Sequence, residues 1–152
     1  MMTLFNSLVR SRLEYCCQIW NPTRINQINS LEKIQRSFTC KIKSIQNLNY
    51  WERLTKLGIM SLQRRREQQI ILFVWRIKNG TVPNDINFKF LDKNLRSGEL
   101  AVINPMPKVH GKLLTLYESS FIVRAAKLWN ILPPNLANIK IFNNSIENWR
   151  NI

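Results

Sequence analysis

Leu62-Gln63-Arg64-Arg65-Arg66-Glu67-Gln68-Gln69 runs into Ile70-Ile71-Leu72-Phe73-Val74-Trp75 and on through Arg76-Ile77-Lys78-Asn79-Gly80, and the reading of this stretch decides the fold. Six consecutive apolar residues fit a buried strand as well as a helix. The flanks settle the matter. Ser61 can cap a helix at its start, and Gly80 supplies a residue that tolerates a left-handed terminus. The stretch therefore predicts a helix from Leu62 to Asn79 that stops at Gly80. Its first turns are polar and strongly basic. Its later turns are apolar on all sides, which implies burial between other elements.

Upstream, Leu4, Phe5, Leu8, Val9, Leu13, Tyr15, Cys16 and Ile19 cover about half of a helical wheel, predicting a core-facing helix from Leu4 to Trp20. Asn21-Pro22 breaks it. Ile28, Leu31, Ile34, Phe38, Ile42 and Ile45 then recur at helical spacing. This predicts a helix from Ile25 to Ser44 with a buried stripe, and with Lys33, Arg36 and Lys43 on the opposite side. Tyr50 to Leu57 reads as a short helix ended by Gly58. Downstream, residues 81–116 lose the helical period and contain Pro83, Gly98, Pro105, Pro107 and Gly111. They are expected to be irregular, with room for a short strand pair that includes Leu100 to Ile103. Helix returns at Ser119 or Ser120, with Phe121, Ile122, Ala125, Leu128 and Trp129 inward and Arg124 and Lys127 outward. A weak last helix is expected from Ser145, carrying Ile146 and Trp149. The expected fold class is mainly α, a small helical bundle, with residues 1–80 as one bundle and 81–152 packed on the same core.

A chain of 152 residues with 45% hydrophobic content can bury one sizeable core. Lys and Arg outnumber Asp and Glu by 23 to 9, giving a net charge of +14. That excess favours a polyanionic partner, with RNA or DNA leading. An acidic membrane surface competes, but no apolar run approaches the roughly 20 residues needed to span a bilayer, and no membrane partner is expected. The first residues lack the basic flank and long apolar centre of a secretory signal. Cys16, Cys17 and Cys40 fit reduced thiols better than a disulfide framework. The expected location is thus inside the cell, nuclear or cytoplasmic. Cys16 and Cys17 are adjacent, unlike zinc-binding pairs, and His110 is the single histidine, so no metal site is expected.

Several longer words in the chain carry a resemblance. They are Leu13-Glu14-Tyr15-Cys16 leading to Trp20-Asn21-Pro22, Asn49-Tyr50-Trp51-Glu52-Arg53-Leu54, Leu57-Gly58-Ile59-Met60-Ser61-Leu62 followed by Arg64-Arg65-Arg66, and Trp129-Asn130-Ile131-Leu132-Pro133. Together they resemble the C-terminal, thumb and post-thumb part of reverse transcriptases from non-LTR (LINE-like) retrotransposons, over nearly the whole chain. The resemblance implies a thumb-like helical bundle in residues 1–80. It also implies that the catalytic aspartates belong to a palm domain upstream of the matching region, a further expected partner.

Polymerase chemistry needs carboxylates converging on divalent cations. The nine acids here are spread along the chain with no Asp-Asp pair. No phosphate-binding glycine loop and no nucleophile elbow occurs either. No catalysis, catalytic residue or cofactor is therefore expected. His110 reads as a loop histidine, and Cys16 and Cys17 as packing residues.

The basic segment from Lys33 to Arg66 is the candidate site. Lys33, Arg36, Lys41, Lys43, Arg53, Lys56, Arg64, Arg65 and Arg66 stand there against the single acid Glu52. Cationic helix faces bind phosphates without sequence preference. Lys33, Arg36, Lys43, Arg53, Lys56, Arg64, Arg65 and Arg66 are the expected contacts with template-primer backbone. Tyr50 and Trp51 could stack on an unpaired base, although core packing is the favoured reading for both. Two other readings stand beside this one: a helical protein-interaction module using the apolar faces of the first two helices, and a retrotransposon relic without a selected role. The start at Met1-Met2 inside the matching region is read as the mark of a truncated fragment.

Overall fold

The computed structural model describes residues 2–86, 88–90 and 111–132, and these are mainly helical. They divide into two compact units, Met1–Gln69 and Ile70–Ile152. The division falls inside the Leu62–Lys78 helix and not at residue 80, because the apolar run from Ile70 onward belongs to a different cluster from the polar turns before it. The expected strand at Leu100 to Ile103, His110, Pro133 and the helix from Ser145 lie outside the described residues.

In the first unit, α1 starts as α-helix over Met2–Leu4, widens to a π-helix over Phe5–Arg10 and returns to α-helix over Ser11–Glu14. Ser7 and Ser11 turn their hydroxyls back onto the carbonyls of Leu4 and Ser7, a local competition with the helical ladder. The expected core-facing helix to Trp20 is corrected on two points. It ends at Glu14, where Tyr15 turns extended and Cys16 adopts φ +50°. In addition, an i→i+5 ladder over Phe5–Arg10 rotates side chains away from the 3.6 period, with Leu4 and Leu8 exposed and Phe5 buried, while in the turn after the helix Tyr15 and Ile19 are exposed and Cys17 is buried.

α2 spans Ile25–Cys40, ending short of the expected Ser44. Its buried face is Glu32, Gln35 and Thr39, with Ile25 and Ile34 exposed. The expected all-apolar stripe is thus corrected to a mixed one. Ile28, Leu31 and Phe38 flank the polar residues and are half-buried. α3, Tyr50–Leu57, matches its expected bounds and stops at Gly58, which has φ +63°. Asn49 and Glu52 close it with a reciprocal capping box. Tyr50, Arg53 and Leu54 face inward, whereas Trp51 is exposed, contrary to its expected core role. α4 is Leu62–Lys78, and the Ser61 hydroxyl accepts from the Arg64 N–H at 3.3 Å, as a capping serine should.

The second unit has an apolar interior. Ile70, Ile71, Val74 and Ile77 of α4 gather with Phe88, Ala125 and Trp129. The run from Ile70 to Trp75 is therefore helical and packed, as its flanks predict. Asn84 bridges both backbone polar groups of Phe88, accepting from its N–H and donating to its C=O, and so tethers the chain after α4. α5, Lys112–Ser119, occupies ground expected to be irregular up to residue 116. It follows Gly111 at φ +69°, whose backbone lets helical residues resume directly. α6, Phe121–Ile131, buries Ala125 and Trp129, half-buries Phe121, Ile122 and Leu128, and leaves Lys127 exposed.

Candidate nucleic-acid interface

Glu32 organises the first unit. Only 7% exposed, it accepts from the Tyr50 hydroxyl and from the N–H groups of Leu62 and Gln63 at 3.2 and 3.3 Å. A carboxylate thereby caps the start of α4, where the helix presents unpaired donors and a partial positive charge. Gln35 donates to the Met60 carbonyl at 3.0 Å and lies 3.3 Å from the Tyr50 hydroxyl oxygen. Arg10 donates to the same Met60 carbonyl at 3.0 Å. Burial first, then the hydrogen bond with Glu32, holds the Tyr50 phenol well above its ordinary pKa. Burial and then the charge of Arg65 lower that of Arg10.

This polar interior sorts the basic residues. Arg66 is 2% exposed and wholly committed: Nε and Nη2 donate to the Leu13 carbonyl, Nη1 donates to Asn21, and the guanidinium lies 4.0 Å from the Trp20 ring centroid. Arg53 is 5% exposed, beneath Tyr50. Arg65 donates to Glu14 at 2.6 Å, and Arg10 approaches the same carboxylate oxygen at 3.0 Å without hydrogen-bond alignment. Arg64 is half-buried. Arg53 and Arg66, expected on the phosphate-facing surface, thus belong to the interior, and Arg65 is an ion-pair partner. Lys33, Arg36, Lys43 and Lys56 are exposed, as is Lys41.

The described acids of the first unit are likewise sorted. Glu14 pairs with Arg65, Glu32 is buried, Glu52 accepts from the Asn49 N–H at 2.9 Å, and Glu67 accepts from Gln63 at 3.1 Å. Of these four acids only Glu52 is exposed, against the exposed Lys33, Arg36, Lys41, Lys43 and Lys56.

Sequence reading missed two features. One is the polar cluster around Glu32, whose signal was the helical spacing of Glu32, Gln35 and Thr39. The other is an open groove of about 450 Å³ lined by Phe5, Val9, Ile34 and Phe38, with Ser30, Lys33, Ser37 and Lys41 at its edges. Phe5 and Phe38 stack at 4.1 Å in it. Among the described residues no group of three or more His, Cys, Asp or Glu could hold a metal ion, and no helix is long and apolar enough to cross a membrane. Compared with known proteins, the chain matches no family model, no curated protein and no solved structure.

Proposed function

We propose that this chain is a non-catalytic nucleic-acid-binding module. Its resemblance to the thumb region of non-LTR retrotransposon reverse transcriptases assigns it the task of gripping template-primer backbone beside a palm domain. The observation that supports this reading is the asymmetry of charge in the first unit. Glu14, Glu32, Glu52 and Glu67 all have intramolecular partners, while Lys33, Arg36, Lys41, Lys43 and Lys56 are exposed. An excess of exposed cations over exposed acids, Glu52 being the one exposed acid among these four, suits phosphates, and contact with phosphates alone suits a protein that must tolerate any sequence.

The test is a gel-shift titration against random RNA and DNA across a salt series. Each phosphate neutralised should contribute about −0.9 to the slope of log affinity against log salt on duplex DNA. Replacing Lys33, Arg36, Lys43 and Lys56 together by Gln should flatten that slope and weaken all sequences alike, with an unchanged circular dichroism melt. Salt-independent binding would overturn the reading.

A second reading, a protein-interaction module, draws on the open groove, since Val9 and Ile34 line it and are exposed, and on the exposed Leu4 and Leu8 of the same helix as Val9. Light scattering discriminates the two. A monodisperse monomer that ignores nucleic acid would count against both.

A further inference from the structure

Trp51 is the clearest anomaly among the described tryptophans. It is 61% exposed, whereas Trp129 is 3% exposed, Trp75 is half-buried and Trp20 lies under the Arg66 guanidinium. Nothing about its position is loose. It occupies the first turn of α3, which the Asn49–Glu52 capping box fixes at its start, and its carbonyl accepts from Thr55 at 3.1 Å. The indole stands 5.2 Å from the Tyr50 ring centroid, tilted at 56°. Tyr50 is itself held by Glu32 and Gln35.

Positive charge surrounds this aromatic pair. The Arg36 guanidinium sits 4.8 Å from the Tyr50 ring centroid and is exposed, and Arg53 lies 6.0 Å from the same ring with its Nε buried and without a hydrogen-bond partner. Lys33 stands one turn before Arg36 on α2 and is also exposed. Of the nearby acids, Glu32 is buried in the cap of α4, and Glu52, exposed and bonded to the Asn49 N–H, stands alone against exposed Lys33, Arg36 and Lys56.

We infer that Trp51, backed by Tyr50 and flanked by Arg36, is a stacking ledge for one unpaired nucleobase, with Arg36 and Lys33 taking the adjoining phosphates. The inference rests on the nucleic-acid reading above and adds a preference for strand form. In a duplex each base has both faces covered by its neighbours, so the indole gains nothing there. An unpaired base offers an open face, and stacking on an aromatic side chain is tolerant of base identity. Single strands should therefore bind more tightly than duplexes through Trp51, while phosphate contacts serve both.

Fluorescence anisotropy with a short oligo(dT) and a mixed-sequence duplex of equal length, at one salt concentration, tests this. Wild type should favour the single strand by roughly tenfold. Trp51→Ala should erase that preference and leave duplex affinity unchanged, and Trp51→Phe should keep much of it. Quenching of tryptophan emission by oligo(dT) should be largely lost in Trp51→Phe. Equal wild-type affinity for both forms, or equal weakening of both by Trp51→Ala, would overturn the ledge and leave the phosphate reading standing. Binding to neither form would overturn both.

Discussion

The interior of Met1–Gln69 is mixed, with hydrogen-bonded Glu32, Gln35, Thr39 and Arg66 buried among Phe5, Cys17, Ile45, Leu54 and Leu62. The interior of Ile70–Ile152 is built from Ile70, Ile71, Val74, Ile77, Phe88, Ala125 and Trp129. One helix, α4, supplies residues to each: Leu62 to Gln69 to the first, Ile70 to Lys78 to the second. The contrast teaches how each should fail. An apolar interior loses stability in proportion to the volume removed and the cavity left. A polar interior loses it when one partner goes and another is stranded without a hydrogen bond.

The largest effect belongs to the apolar side. Trp129 contacts the Phe90 ring edge-on at 6.4 Å and has the Lys78 Nζ 5.7 Å from its centroid. Trp129→Ala should cost about 3–5 kcal/mol in chemical denaturation. Hydrogen exchange should show the loss in Ile70–Lys78 and Phe121–Ile131 before α2. If α2 loses protection in step, the two interiors form one cooperative unit and the contrast breaks.

Next in size is Arg66→Met, which keeps an apolar stem and removes the fork. The Leu13 carbonyl then loses both of its Arg66 donors, and Asn21 loses one. The expected cost is about 2–3 kcal/mol, read by the same denaturation assay. Lys33→Gln and Lys43→Gln, at exposed positions, should stay within about 0.5 kcal/mol. An Arg66→Met variant as stable as those two would show that the basic run following Ser61 is a solvated face after all.

The same contrast explains what could be read from the sequence. α3 and α6 emerged from apolar period and end signals, and α4 from Ser61 and Gly80, because in each case the period of apolar residues is also the period of burial. α2 shows where that equation fails. Ile34 fits the apolar wheel yet is exposed, and Gln35 beside it is fully buried, because the neighbours at that height are the Met60 carbonyl and the Tyr50 hydroxyl. Hydropathy cannot register a partner fifteen or more residues away. α1 failed for a different reason: the π-helical turn changes the period itself. α5 was hidden by Gly111, read as a loop residue when it is the point from which a helix resumes. In the candidate site, charge concentration was legible, but its division between surface and interior was not. Arg65 and Arg66 are adjacent in sequence, and only the positions of Glu14, Leu13 and Asn21 decide their roles.

The smallest effect isolates the polar interior by pH. The Tyr50 phenol has its folded-state pKa raised above the ordinary value of 10.0, by burial and by the bond to Glu32. A group shifted in this direction contributes stability that is fully present below the unfolded value and is lost as pH climbs toward the folded one. Wild type should therefore lose, through this group, on the order of 1 kcal/mol at one pH unit above that value. Tyr50→Phe removes the titrating proton and also a donor to Glu32, so at neutral pH the variant should be the less stable protein. As pH rises past 10 the gap should close, because the wild type alone pays to keep its phenol protonated. Exchange protection lost in this window should be concentrated at the start of α4, where Glu32 caps Leu62 and Gln63. A gap that stays constant through the alkaline range would mean that the hydroxyl is not held by the carboxylate, and the polar interior would lose its central contact.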